Sequence, residues 1–125
     1  MDNLDLESFR TLRIALEEKS LEDNANLLTQ IGQYYVQTMP SEIDLDYVTE
    51  TEYFLNTLYL KSEKEYIPAE IHTSLKSALG IASWINFVRK LKIFNPLTFS
   101  SLKDLGETMI SISRGISEYY NSSSS

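Results

Sequence analysis

The chain has 125 residues, no cysteine and a formal net charge of −7. A chain of this length is expected to form one domain around one hydrophobic core. We predict that domain over residues 1–120 and a disordered Ser-rich tail over residues 121–125. The lack of cysteine excludes disulfide bonds, thiolate metal sites and cysteine nucleophiles.

The charge is divided unevenly along the chain. Residues 1–70 hold 5 basic and 15 acidic residues, whereas residues 71–125 hold 6 basic and 3 acidic residues. Two interpretations stay open: the acidic helices pack across the basic end of a later helix, or the acidic surface binds a basic partner. The acidic N-terminus has no apolar segment of the signal-peptide type, which favours a cytoplasmic location.

Two helices are predicted before Pro40. Apolar residues at helical spacing indicate helix 1 over residues 5–19. Ser20, with Asp23 three residues later, resembles a capping box and predicts helix 2 over residues 21–38. One kinked helix is the alternative. The inward positions are Leu6, Phe9, Leu12 and Leu16 in helix 1, and Leu21, Ala25, Leu28, Ile31 and Tyr35 in helix 2.

Helix 3 is predicted over residues 44–64. Ser41 with Asp44 offers one N-cap, and Thr49 with Glu52 offers a better one. The residues expected to face inward are Tyr47, Val48, Phe54, Leu55 and Leu58.

The longest apolar stretch, residues 68–94, holds the only Trp and the only His. One helical face is formed by Ile71, Leu75, Ala78, Ala82 and Ile85. The remaining sides are filled by Leu79, Ile81, Trp84, Phe87, Val88 and Leu91. We therefore predict a central helix 4 surrounded by other helices. Its uninterrupted apolar run is too short for a membrane span, which needs about 20 residues.

Small residues follow one side of helix 4 at steps of three, at Ser74, Ser77, Gly80 and Ser83. Such a row lets another helix approach closely. The alternative is a shallow groove there for a ligand or a partner helix.

Helix 5 is predicted to begin near Thr98 or Ser100. A heptad seam follows at Leu102, Leu105, Met109, Ile112, Ile116 and Tyr119. Gly106 and Gly115 each weaken the helix by about 1 kcal/mol, so it needs a packing surface. We expect that surface to be helix 4. The alternative is a homodimer through Leu102, Leu105, Met109, Ile112 and Ile116.

These elements predict an all-α fold, a compact bundle of four to five helices with helix 68–94 central. Strand-type alternation does not persist in any segment, and no segment repeats at a fixed period.

No motif with a reaction attached to it occurs, so we expect no enzyme, no cofactor and no metal site. His72 is the only histidine, and a metal-binding helix pair needs more ligands. Asp104 and Glu107 form one acidic step, whereas helical nucleotide pyrophosphatases hold magnesium with two. The P-loop, dinucleotide and nucleophile-elbow patterns are absent.

Nucleic-acid binding is a weaker alternative. The only basic cluster is Arg89, Lys90 and Lys92, in a chain whose isoelectric point is near 4.6. A helical DNA-binding regulator stays open on this cluster.

Tyrosine is the one enriched residue type, with 8 copies. Partly exposed tyrosines are typical of protein interfaces, although their rings also fill the rims of helical bundles. We predict that the chain binds another protein, as small inhibitors, immunity proteins, secretion chaperones and phage or plasmid accessory proteins do. The predicted acidic, Tyr-bearing surface consists of Tyr34, Tyr47, Glu50, Glu52, Tyr53 and Tyr59.

Overall fold

Side-chain caps set the start of the first two helices. The computed structural model describes residues 4–91 and 96–123, with the backbone alone at 96, 97 and 123. The Asp5 carboxylate accepts from Ser8 N at 2.7 Å, and α1 spans Leu6–Leu16. Ser20 Oγ accepts from Asp23 N at 3.2 Å, and α2 spans Leu21–Gln37. Two separate helices are confirmed. Of the residues predicted to face inward from helix 1, Phe9 is buried, whereas Leu12 is 38% exposed.

The connection from α2 to α3 differs from the prediction. A short 3-10 turn covers Pro40–Glu42, and α3 spans Asp46–Lys64. Asp44 Oδ1 accepts from Asp46 N at 2.9 Å. Ser41 is therefore part of the turn rather than a cap, and Thr49 lies inside the helix. The five residues predicted to face inward from helix 3 are all buried.

Helix α5 spans Pro96–Ser123 and packs against both α2 and α4, with α2 its larger neighbour. The seam residues Leu102, Leu105, Met109, Ile112 and Ile116 are at most 2% exposed. The alternative of a homodimer through these five residues gains no support, because the seam is already covered within one chain. The prediction of helix 4 as the seam's partner named only one of two neighbours.

Two glycines allow the backbones of α2 and α5 to touch. A Cβ atom added at Gly106 would lie 2.6 Å from the Gly32 carbonyl oxygen, and one added at Gly32 would lie 2.8 Å from the Gly106 carbonyl oxygen. Nearby, Ser113 Oγ donates to the Ala25 carbonyl at 2.6 Å and lies 2.7 Å from Thr29 Oγ1. Gly106, which weakens α5 as an isolated helix, is thus what lets α5 pack against α2.

Helix α4 spans Ala69–Lys90 and packs between α3 and α5. Its predicted buried face, Ile71, Leu75, Ala78, Ala82 and Ile85, is confirmed. Of the residues predicted to fill its other sides, Val88 is buried as expected. The prediction is wrong for three others: Trp84 is 44% exposed, Phe87 60% and Leu91 53%. A Cβ at Gly80 would meet nothing within 4 Å, so no described helix approaches the small-residue row there.

The helix ends also differ from the prediction. Helix α4 ends at Lys90 rather than residue 94, and residues 92–95 lie outside the described part. Helix α5 begins at Pro96, before Thr98, and its last helical residue is Ser123, within the predicted tail. Residues 124–125 lie outside the described part. No helix in the described ranges has the length and apolar character needed to cross a bilayer. The all-α bundle is confirmed.

Candidate functional site

The six residues predicted to bind a partner do not share one surface. Tyr47 is 4% exposed and Glu50 is 6% exposed, so neither is available to a partner. Tyr34 and Tyr59 are half-buried, whereas Tyr53 is 60% exposed. Of the predicted set, Tyr53 and the half-buried Glu52 remain as candidates.

Tyr34 and Tyr47 belong to an aromatic cluster beneath α1. Their rings stack with centroids 4.2 Å apart, and Phe9 stacks on the other side of Tyr47 at 5.6 Å. The Tyr34 hydroxyl accepts from Asp44 N at 2.8 Å, which holds the chain just before α3. These tyrosines join α1, α2 and α3, and their predicted docking role is corrected to a packing role.

One hydroxyl in this cluster has no partner within residues 4–91 and 96–123. Tyr47 Oη is buried and forms no hydrogen bond to these residues, and burial raises the Tyr47 pKa to about 12. The neighbouring Tyr35 hydroxyl lies 2.7 Å from Thr51 Oγ1, and burial raises the pKa of Tyr35 as well.

Removing these two hydroxyls is expected to have opposite effects. Tyr47→Phe relieves an unsatisfied buried group and should stabilise the fold by about 1 kcal/mol. Tyr35→Phe breaks a buried hydrogen bond and should destabilise it by about 1 kcal/mol. Urea unfolding of the two variants beside the unaltered chain measures both. Equal destabilisation would show that Tyr47 Oη has a partner in solution.

Glu50, in α3, forms ion pairs with two arginines of α1. Its two carboxylate oxygens accept from Arg10 Nε at 2.7 Å and Arg13 Nε at 2.8 Å. Burial tends to raise the Glu50 pKa, but the hydrogen bonds and charges of the two arginines together lower it below its ordinary value. The acid predicted to meet a partner is therefore neutralised inside the fold.

Tyr59 and His72 form a second packing contact, between α3 and α4. Their rings stack with centroids 4.7 Å apart, and Ser62 Oγ lies 2.6 Å from His72 Nδ1. His72 thus bonds to a hydroxyl and packs on a ring. Within the described ranges no three His, Asp or Glu side chains come together in a metal-binding arrangement.

A groove of about 730 Å³ runs between α3 and α4. The lining residues are Thr49, Glu52, Tyr53 and Asn56 from α3, and Leu79, Ser83, Asn86, Arg89 and Lys90 from α4. The groove is therefore lined by charged groups of both signs, and Leu79 and the Tyr53 ring also form part of its wall.

Glu52 is held in the groove by neutral donors. Its carboxylate accepts from Ser83 Oγ at 2.9 Å and from Asn86 Nδ2 at 2.6 Å. No described cation lies within ion-pair distance of it. Asn86 is 8% exposed, and its Oδ1 atom is buried without a hydrogen-bond partner among the residues that the structure describes. The α3 side of the groove thus carries a negative charge that the described part of the chain does not neutralise.

The basic residues at the end of α4 have different roles. Arg89 donates to the Leu45 carbonyl at 2.8 Å, to Thr49 Oγ1 at 3.1 Å and to Asp46 Oδ1 at 2.8 Å. Lys90 is exposed and pairs with no described carboxylate. Lys92 lies outside the described residues. Arg89 is therefore used within the fold, which weakens the nucleic-acid alternative.

Large apolar side chains border the groove. Tyr53 and Leu60 are exposed on α3, and Trp84, Phe87 and Leu91 are exposed on α4. Residues three and four apart on a helix are neighbours, so Gly80, Trp84, Phe87 and Leu91 form one outward stripe on α4. We call the groove, this stripe and Leu60 the α3–α4 face.

Comparison with known proteins finds no similarity: no protein-family model matches the sequence, and no curated protein and no solved structure matches it. Function is therefore inferred from the α3–α4 face itself.

Proposed function

We propose that this chain is a non-enzymatic protein-binding protein and that the α3–α4 face is its binding surface. The observation that carries the proposal is the exposure of Tyr53, Trp84 and Phe87 around a groove. Contiguous exposed apolar side chains mark interaction sites, and Trp and Tyr are enriched among the residues that dominate binding energy.

The extent of the exposed stripe favours a protein over a small molecule. From Gly80 to Leu91, which follows the last residue of α4, the stripe spans 12 residues, about 16 Å along the helix axis. It lies outside the groove, so a small ligand within the groove would leave Trp84 and Phe87 in water. A second helix laid along α4 would cover both.

The proposal retains part of the predicted surface and relocates the rest. Tyr53 and Glu52 stay in the binding surface, whereas Tyr34, Tyr47, Glu50 and Tyr59 leave it. The surface therefore gains two aromatic residues from α4 and loses one of its two acidic residues.

Photocrosslinking in the native host tests this proposal. Replacing Phe87 with p-benzoylphenylalanine keeps an aromatic side chain there and should give one specific protein adduct on irradiation. The matched control places the same residue at Tyr66, which is 95% exposed. Tyr66 precedes α4, whose first residue, Ala69, lies about 22 Å from Trp84 along the helix axis, so we expect no such adduct.

Adding Trp84→Ser to the Phe87 crosslinking chain should abolish the adduct, because it removes a neighbouring anchor. The adduct's mass identifies the bound protein, which is then purified and titrated against the unaltered chain. Absence of an adduct at position 87, or equal adducts at positions 66 and 87, would contradict the proposed function.

A further inference from the structure

We propose that the protein bound at the α3–α4 face is a second copy of this chain, in a two-fold symmetric dimer. This inference rests on the proposed function and names the partner of the same face. It replaces the predicted seam on helix 5, which is buried, with a surface that is exposed in the single chain. In a two-fold interface the same patch is used twice, so it must be complementary to itself.

The shape of the face meets this requirement. Trp84 and Phe87 protrude from α4, and the groove lies beside them, where Ser83 and Lys90 line it. Ser83 and Lys90 are four and three residues from Phe87, so they are its surface neighbours. A protrusion and a recess therefore lie side by side. In a symmetric pair, each copy places its aromatic residues against the groove of the other, and both recesses are covered at once.

The charges of the face are complementary in the same way. Glu52 on the α3 side and Lys90 on the α4 side line one groove, and neither pairs with a described group of opposite charge. If Glu52 of one copy meets Lys90 of the other, symmetry creates the reciprocal pair as well. One interface thus neutralises four charges that the described part of each single chain leaves unpaired.

The overall charge of the chain also selects this face. Two copies that each carry a net charge of −7 repel each other in most relative orientations. Beyond its first turn α4 contains no Asp or Glu, and none occurs in residues 71–91, whereas residues 1–70 contain 15. Contact along α4 therefore brings the copies together where carboxylates are fewest.

Analytical ultracentrifugation of the purified chain tests the dimer, from about 1 µM to about 1 mM. We expect the mass to rise from one chain to two over this range. The double variant Trp84→Ser, Phe87→Ser should weaken association by about 30-fold or more, as loss of a binding hot spot does. Tyr66→Ser should associate like the unaltered chain. Circular dichroism verifies folding, which both variants should retain because the replaced side chains are exposed.

A charge exchange tests the pairing of Glu52 with Lys90. Lys90→Glu alone sets acid against acid across the interface, and Glu52→Lys alone sets base against base, so each variant should associate weakly. Mixed together, they restore both pairs and should form a one-to-one dimer. A mixture that associates no better than either variant alone would overturn the proposal.

A single-chain mass at every concentration would also overturn the dimer, but it would leave the proposed function intact if the Phe87 crosslinker captures a different protein. If neither the second copy nor any other protein is captured at position 87, both proposals fail. The two experiments therefore separate failure of the partner from failure of the surface.

Discussion

Gly106→Ala is expected to destabilise the fold by about 3 kcal/mol, at the upper end of overpacking effects. The added Cβ would lie 2.6 Å from the Gly32 carbonyl oxygen and 2.8 Å from Tyr35 Cβ. Because a backbone atom and a core side chain obstruct it, relief requires α2 and α5 to separate. Thermal unfolding should show a melting temperature lower by about 10 °C for a chain of this length.

Two other glycines provide matched controls within helices. Gly80→Ala adds a Cβ with nothing within 4 Å and should stabilise the fold by about 1 kcal/mol, the helix-propensity difference. At Gly115 the nearest atom would be Ile71 Cγ1, at 3.7 Å, an ordinary contact distance, so alanine should also be tolerated there. If Gly106→Ala behaves like these two, the α2–α5 crossing is looser than described above.

Glu50→Ala is expected to cost about 2 kcal/mol at pH 7. Removing one partner of a fully buried ion pair costs about 3–5 kcal/mol. The expected loss is smaller here because the Arg10 side chain is 49% exposed and can return to water. Arg13 is 15% exposed and loses its hydrogen-bond acceptor. Urea unfolding measures the loss. Glu63→Ala, an exposed acid on the same helix, should change stability by less than about 0.5 kcal/mol.

The contribution of Glu50 should depend on pH. Its pKa is lowered in the folded chain, so its charge stabilises the fold fully above the ordinary Glu pKa of about 4.3. That stabilisation is lost as pH falls through the lower, folded-state pKa. The stability gap between the unaltered chain and Glu50→Gln should therefore be constant near neutral pH and shrink below about pH 4. A gap that grows on acidification would contradict the ion-pair assignment.

Local patterns were sufficient to predict most of the fold. The start of α2 follows from Ser20 and Asp23, whose capping bond involves neighbouring residues only. The buried positions of α2, α3 and α4 follow from helical periodicity, because one face of each helix must meet the core.

Periodicity could not predict which apolar residues stay exposed. Trp84 and Phe87 belong to a stripe with the same three- and four-residue spacing as the buried face of α4. Whether a second stripe is covered depends on how many helices surround α4. In the described part of the chain α4 has two main neighbours, α3 and α5. The position of this stripe on α4 was a usable signal. It lies nearly opposite Ile71, Ala78 and Ala82, so only a third neighbouring helix could cover it.

The misplaced site residues fail for a related reason. Glu50 is neutralised by Arg10 and Arg13, which lie 40 and 37 residues away in the sequence. Gly106 marks a weak helix in the sequence, and only its position opposite Gly32 makes it a contact point. Pairings this distant are set by the tertiary fold, and a single sequence does not encode them in a readable pattern.

The fluorescence of Trp84 offers the most direct test of the α3–α4 face, because it is the only tryptophan in the chain. Trp84 is 44% exposed in a single copy, so its fluorescence in dilute protein should be readily quenched by acrylamide. As concentration rises, quenching should fall and the emission should shift to shorter wavelength. Both changes should have the same midpoint concentration as the rise in mass from one chain to two. Quenching that stays constant while the mass doubles would place the interface elsewhere on the molecule.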